Sequence, residues 1–183
     1  MKSHICPWWL AYTFDHRLRR LVHHPEKLFS EYVKPGMTVV DVGCGLGFNA
    51  LGLAELVGAT GRVVAVDIQQ EMLDGLMKRA QKKGLADRIT PHLARQDDLA
   101  LNVDARFVLG FYVVHEVPDP ARFIFQVADN LGDGGLFMMI EPPFHVSKKR
   151  FEESIRLIES SGLVLENRHR IPFGRVAVLK KSA

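Results

Sequence analysis

At 183 residues, 47% hydrophobic and 25% charged, the chain is long enough to bury one full core. No apolar run reaches the roughly 18 residues a membrane helix needs, and a net charge of +3 is too small to argue for nucleic acid as a partner. With only two cysteines, one of them inside a glycine turn, a disulfide framework is not indicated and a reducing cytoplasm is the expected compartment.

Residues 1–35 precede the first strand signal, and Pro35-Gly36 marks the boundary. They hold both tryptophans, Trp8 and Trp9, together with Cys6 and four histidines. The apolar positions Leu18, Leu21, Val22, Leu28 and Tyr32 read as a helix packed on the surface of the following domain. The run Ile5-Cys6-Pro7-Trp8-Trp9-Leu10 contains proline and is followed by no small-residue cleavage site, so it is not read as a secretion signal. His4, Cys6, His23 and His24 lack C-x-x-C or H-E-x-x-H spacing and are read as non-ligands, so no metal is expected.

The β-branched run at 38–42 predicts a buried strand that ends at a turn, Gly43-Cys44-Gly45-Leu46-Gly47. Ala50, Leu53, Ala54 and Val57 then recur at helical spacing, and a second apolar strand at 62–66 runs into Asp67. This is the start of a nucleotide-binding βαβ unit. Asp67 follows Gly45 by 22 residues, near the roughly 20-residue offset at which a carboxylate meets a ribose hydroxyl pair. Ile68, next to it, is placed to pack on an adenine face.

Two departures from the dinucleotide fingerprint choose the cofactor. Gly47 comes one residue earlier than G-x-G-x-x-G requires, and Asp41 stands just upstream of a turn that would have to face a pyrophosphate. Two like charges in a partly desolvated site repel. S-adenosylmethionine carries no phosphate, and its sulfonium and ammonium favour an acidic neighbour. The expected cofactor is therefore S-adenosylmethionine, held by Asp41, Gly43, Gly45, Gly47, Asp67 and Ile68.

Further along, a helix is predicted with Leu73, Leu76, Met77 and Ala80 on its apolar stripe, then a strand at 89–93 and another at 107–113. Asp119-Pro120 signals the start of a helix with Ile124, Val127, Ala128 and Leu131 inward, and a strand follows at 136–140. Ser147 caps a helix that reaches Gly162, and strands at 164–168 and 175–179 close the chain. The alternation implies an α/β fold, a mostly parallel sheet with helices on both faces.

The segments Asp41-Val42-Gly43-Cys44-Gly45-Leu46-Gly47 and Val66-Asp67 resemble the first two motifs of the class I S-adenosylmethionine-dependent methyltransferases. The resemblance runs over residues 36–183, through His115-Glu116-Val117-Pro118-Asp119 and Leu131-Gly132-Asp133-Gly134-Gly135, which look like the loop after strand 4 and the turn before strand 5. It implies a Rossmann-like seven-stranded sheet in the order 3-2-1-4-5-7-6 with the last strand antiparallel. It also implies that Asp97 or Asp98 meets the adenine amino group and that Gly110 and Phe111 lie beside the methionine portion. Against that family the chain lacks insertions between its later strands, which opens a second reading of residues 1–35 as a lid over the active site.

Methyl transfer from a sulfonium is an in-line displacement, so positioning can supply most of the rate, and a base is needed only when the acceptor must lose a proton. His115 and Glu141 are the candidates for that role, with Glu116 and His145 nearby in sequence. Glu141-Pro142-Pro143-Phe144 is similar to the D/N-P-P-aromatic loop of amino methyltransferases, but it follows strand 5 and begins with Glu, so it is set aside. The expected partner is a small-molecule methyl acceptor, apolar or aromatic. Two alternatives stay open: an RNA methyltransferase using Arg17, Arg19, Arg20, Lys148, Lys149, Arg150, Arg168, Arg170, Lys180 and Lys181, and a cofactor-binding protein without transferase activity.

Overall fold

The structure is a computed structural model that describes residues 23–182. Valine-rich strands β1 (Thr38–Val42) and β2 (Arg62–Asp67) are almost wholly buried and pair in parallel, from Thr38↔Arg62 to Val42↔Val66. Strand β3 (Ile89–Leu93) continues the parallel ladder on β2. Four more strands complete a seven-stranded sheet: β4 (Ala105–Phe111), β5 (Leu131–Glu141), β6 (Leu163–Ile171) and β7 (Gly174–Lys181). The order is β3-β2-β1-β4-β5-β7-β6, with β7 antiparallel to both β5 and β6. The described residues fall into two compact units, 23–94 and 95–182.

In the first unit, helix α1 (Pro25–Phe29) packs on α2 (Phe48–Val57); a Cβ on Gly52 would strike Pro25. Phe29 and Val33 are buried, so the described end of the N-terminal extension is docked on this unit. The residues 1–22 that carry Trp8, Trp9 and most of the supposed lid lie outside the described residues. Helix α3 (Gln70–Lys83) turns Met72, Leu73, Leu76 and Ala80 inward, so Met72 takes the place expected of Met77.

In the second unit, Pro120 opens α4 (Pro120–Asp129), and the Asp119 carboxylate accepts the Arg122 N–H at 3.1 Å. Ser147 caps α5 (Lys148–Ser160) by accepting the Arg150 N–H at 3.2 Å. The strand limits of this unit differ from expectation, β7 by one residue at its start and two at its end. β4 lies two residues earlier than 107–113, because Tyr112 takes φ = 61° and turns the chain out of the ladder. β5 begins at Leu131 rather than 136: Leu131 pairs with Ala105, and residues 132–135 then bulge out before Leu136 meets Phe107. β6 runs well past 168, since it is the sheet edge and its polar outer residues show no apolar alternation to mark its length.

Candidate functional site

In the first unit the turn after β1 carries Gly43, Gly45 and Gly47, all at positive φ, a conformation that L side chains rarely adopt. The two later glycines serve different ends. A Cβ on Gly47 would collide with the buried Leu76 side chain, so this glycine lets α2 and α3 approach. A Cβ on Gly45 would meet nothing within 4 Å, so this glycine borders open space where a ligand can lie against the backbone.

Asp67 is only 8% exposed and holds the turn in place. Its carboxylate accepts the Gly45 N–H at 2.9 Å and the Gln69 N–H at 3.0 Å, joining the end of β2 to the glycine turn. Burial raises the Asp67 carboxyl above its ordinary value, and the N–H groups of Gln69, Gly45 and Ile68 offset that only in part. Asp41 is 1% exposed beneath the same turn, and Ile68 presents an exposed side chain beside Asp67.

The electrostatics of the turn are acidic. Burial first, then the charges of Asp41 and Asp67, hold the Cys44 thiol well above its ordinary value. A pyrophosphate would meet that negative potential unfavourably, whereas a sulfonium and an ammonium are stabilised by it. An open glycine backbone and two buried carboxylates thus fit a cationic adenosine cofactor without phosphate, S-adenosylmethionine.

In the second unit, Gly110 and Phe111 end β4 and are buried; a Cβ on Gly110 would press on Phe137 and Val113 at 3.3 Å. Asp97 and Asp98 lie beyond the end of β3, in a tight loop closed by the Arg95–Asp98 bridge. Asp98 accepts the Ala100 N–H at 2.8 Å, and Asp97 is exposed and faces the Arg122 guanidinium at 3.4 Å. Each therefore has a local structural task in this loop.

The strand ends also bring together a pair of residues 26 positions apart. Glu141, 1% exposed at the end of β5, places Oε2 2.5 Å from His115 Nδ1, while its Oε1 accepts the Val114 N–H at 3.1 Å. Both carboxylate oxygens are engaged, which fixes the imidazole and puts the Nδ1 proton toward Glu141. His115 Nε2 is left 3.9 Å from Glu116 Oε1, beyond hydrogen-bond reach. Burial lowers the His115 pKa, but the hydrogen bond and charge of Glu141, helped by Glu116, outweigh it and raise the imidazole above its ordinary value. Arg150 donates to the His115 carbonyl at 3.3 Å and steadies the backbone there.

Rings extend outward from this pair. His145 stacks on His115 at 6.2 Å, Phe144 meets His145 edge-on at 5.7 Å, and Phe173 lies 6.2 Å from Phe144. Phe144 and Phe173 are 67% and 58% exposed, unusual for side chains of that size. The Tyr112 hydroxyl donates to the Phe173 carbonyl at 2.5 Å and ties the β6–β7 turn to the end of β4. Sequence reasoning passed over Phe173 and Tyr112. Nothing local in the sequence says that the β6–β7 turn meets Phe144.

Comparison with known proteins agrees with this reading. The "Methyltransferase domain" family profile matches residues 33–165. Aklanonic acid methyltransferase DauC of a Streptomyces species is 34% identical over 134 residues, covering 69% of this chain and 54% of that protein. A ribosomal-protein methyltransferase of Pelotomaculum thermopropionicum is 34% identical over 113 residues, 61% of this chain and 34% of that protein. The chain thus spans about a third to a half of these relatives. A SAM-dependent methyltransferase from Aquifex aeolicus shares the fold with a TM-score of 0.86 at 22% identity, covering 96% of this chain and 99% of that one. With the profile covering most of its length, the chain belongs to the S-adenosylmethionine-dependent methyltransferase-domain family.

Proposed function

We propose that the protein methylates a hydroxyl group of a small aromatic molecule, with His115 Nε2 as the base. The observation that carries this reading is the Glu141–His115 pair at 2.5 Å, its carboxylate buried and its imidazole partly exposed. When bound, S-adenosylmethionine supplies an electrophilic methyl group on a sulfonium. The residues proposed to hold it are Asp41, Gly43, Gly45, Gly47, Asp67 and Ile68, together with Gly110, Phe111 and the loop of Asp97 and Asp98.

On the acceptor side, His115 Nε2 would take the hydroxyl proton and so ready the oxygen for the methyl group that S-adenosylmethionine would supply. Glu141 holds the imidazole tautomer that leaves Nε2 free and then faces the imidazolium. Glu116 adds a second negative charge as the ring becomes cationic. A planar acceptor matches the ring series from His145 through Phe144 to Phe173, since aromatic faces and edges associate at such spacings.

An RNA acceptor is less well supported. Of the cations that would form its footprint, Lys181 donates to the Ala128 and Leu131 carbonyls, Lys180 pairs with Glu166, Arg168 with Glu152, and Arg150 serves the His115 carbonyl. These side chains are occupied within the fold.

The test is methyl transfer from radiolabelled S-adenosylmethionine to a panel of planar phenols, aliphatic alcohols and RNA oligonucleotides. Label is expected in phenols, with little in aliphatic alcohols. Label confined to RNA would exclude the small-molecule reading.

A further inference from the structure

The concave surface between the start of α5 and the β6–β7 hairpin carries charge that methyl transfer does not use. A cavity of about 500 Å³ lies there, with Lys148, Arg168, Arg170 and Arg175 in its wall and Glu152 as the opposing carboxylate. Arg168 already takes both oxygens of Glu152, at 3.3 and 3.2 Å. Among the described residues, neither Lys148 nor Arg170 has an anionic partner. Arg175 donates one guanidinium N–H to the Val146 carbonyl, while its Nε is buried with no acceptor among the described residues.

The wall therefore holds three positive charges, of Lys148, Arg170 and Arg175, beyond the one neutralised by Glu152. Like charges gathered in a concavity repel unless an anion enters, and Lys148 sits at the amino-terminal end of α5, where the helix adds partial positive charge. Guanidinium forks suit the tetrahedral oxygens of phosphate, and a phosphate monoester brings between one and two negative charges in one compact group. The volume is that of a small-molecule site, typically about 300–1,000 Å³, and exceeds what a bare phosphate fills. Phe151 and Val176 give the cavity an apolar floor for an organic body.

We propose that this cavity binds a small organic phosphate monoester, at residues distinct from the Glu141–His115 pair. The acidic glycine turn disfavours phosphate, whereas this basic wall selects it. The two regions divide ligands by charge.

The full chain is titrated calorimetrically with phenyl phosphate and with inorganic phosphate. Phenyl phosphate is expected to bind at least about 10-fold more tightly than inorganic phosphate, with a strong salt dependence. Arg170→Glu and Lys148→Glu, both at exposed positions, are expected to weaken it about 10-fold or more, with Arg170→Lys intermediate. S-adenosylmethionine affinity serves as the control for folding and stays unchanged in all three variants. Equal binding of the two probes would reduce the cavity to an adventitious anion site and overturn the proposal. So would phenyl phosphate binding that survives Arg170→Glu, or no saturable binding up to about 10 mM. An RNA oligonucleotide that binds more tightly than phenyl phosphate and is lost on the same substitutions would assign the surface to nucleic acid instead.

Discussion

Replacing His115 by Gln is expected to slow methyl transfer about 100-fold or more while leaving the affinity for S-adenosylmethionine nearly unchanged. Gln is preferred to Ala because its amide can still donate to Glu141. Truncation would strand a buried carboxylate, a change that can cost about 3–5 kcal/mol of folding stability and confuse the readout. The pH profile gives an independent check. A base works when neutral, so the rate is expected to rise with pH through the His115 pKa, which Glu141 and Glu116 hold above the ordinary histidine value. Glu141→Gln removes the main raising influence, so the rise should move to lower pH while the maximal rate falls. Stability runs the other way. A group whose pKa is raised by folding stabilises below its unfolded pKa, and that contribution is lost as pH climbs through the folded value. The melting temperature is thus expected to decline over the pH range in which activity appears. A small effect of His115→Gln on rate would show that positioning alone accounts for catalysis.

Asp67→Ala is expected to weaken S-adenosylmethionine binding by about 1.5–3 kcal/mol, the worth of a hydrogen bond to a charged group. The same change frees the Gly45 and Gln69 N–H groups, so folding stability falls as well. Binding has to be measured where the variant remains folded, by circular dichroism alongside calorimetry. Because burial raises the Asp67 carboxyl, affinity in the wild type should decline on acidification from a pH above the ordinary carboxylate range. Unchanged affinity in the variant would remove Asp67 from the ribose-binding role.

In the first half of the sheet, β1 and β2 were legible because each is a short apolar run ended by glycine or a carboxylate. The limits 38–42 and 89–93 agree with β1 and β3, and β2 adds only Asp67. Departures occur where local pattern and ladder part company. Gly132 to Gly135 reads as a turn, yet the pairing continues on both sides of the bulge it forms. Tyr112 carries strand-like character in sequence; its N–H makes the last ladder bond, to the Ile140 carbonyl, and its positive φ then ends β4 at Phe111. β6 is an edge strand whose ladder with β7 runs to Ile171↔Gly174 through polar residues.

The candidate site divides in the same manner. Asp41, the glycines and Asp67 share one βαβ unit, so their spacing encodes their proximity. His115 and Glu141 were each visible as polar residues after a strand, but their pairing depends on two neighbouring parallel strands ending level, which no local spacing records. The same is true of the rings of Phe144 and Phe173, brought together by the β6–β7 turn.

The most direct measurement is calorimetric titration of the full chain with S-adenosylmethionine, its demethylated product and NAD. Saturable binding is expected for the first two and none for NAD, because the turn above Asp41 and Asp67 favours a cation and repels a pyrophosphate. Tight NAD binding with no measurable S-adenosylmethionine binding would contradict the assignment of this turn.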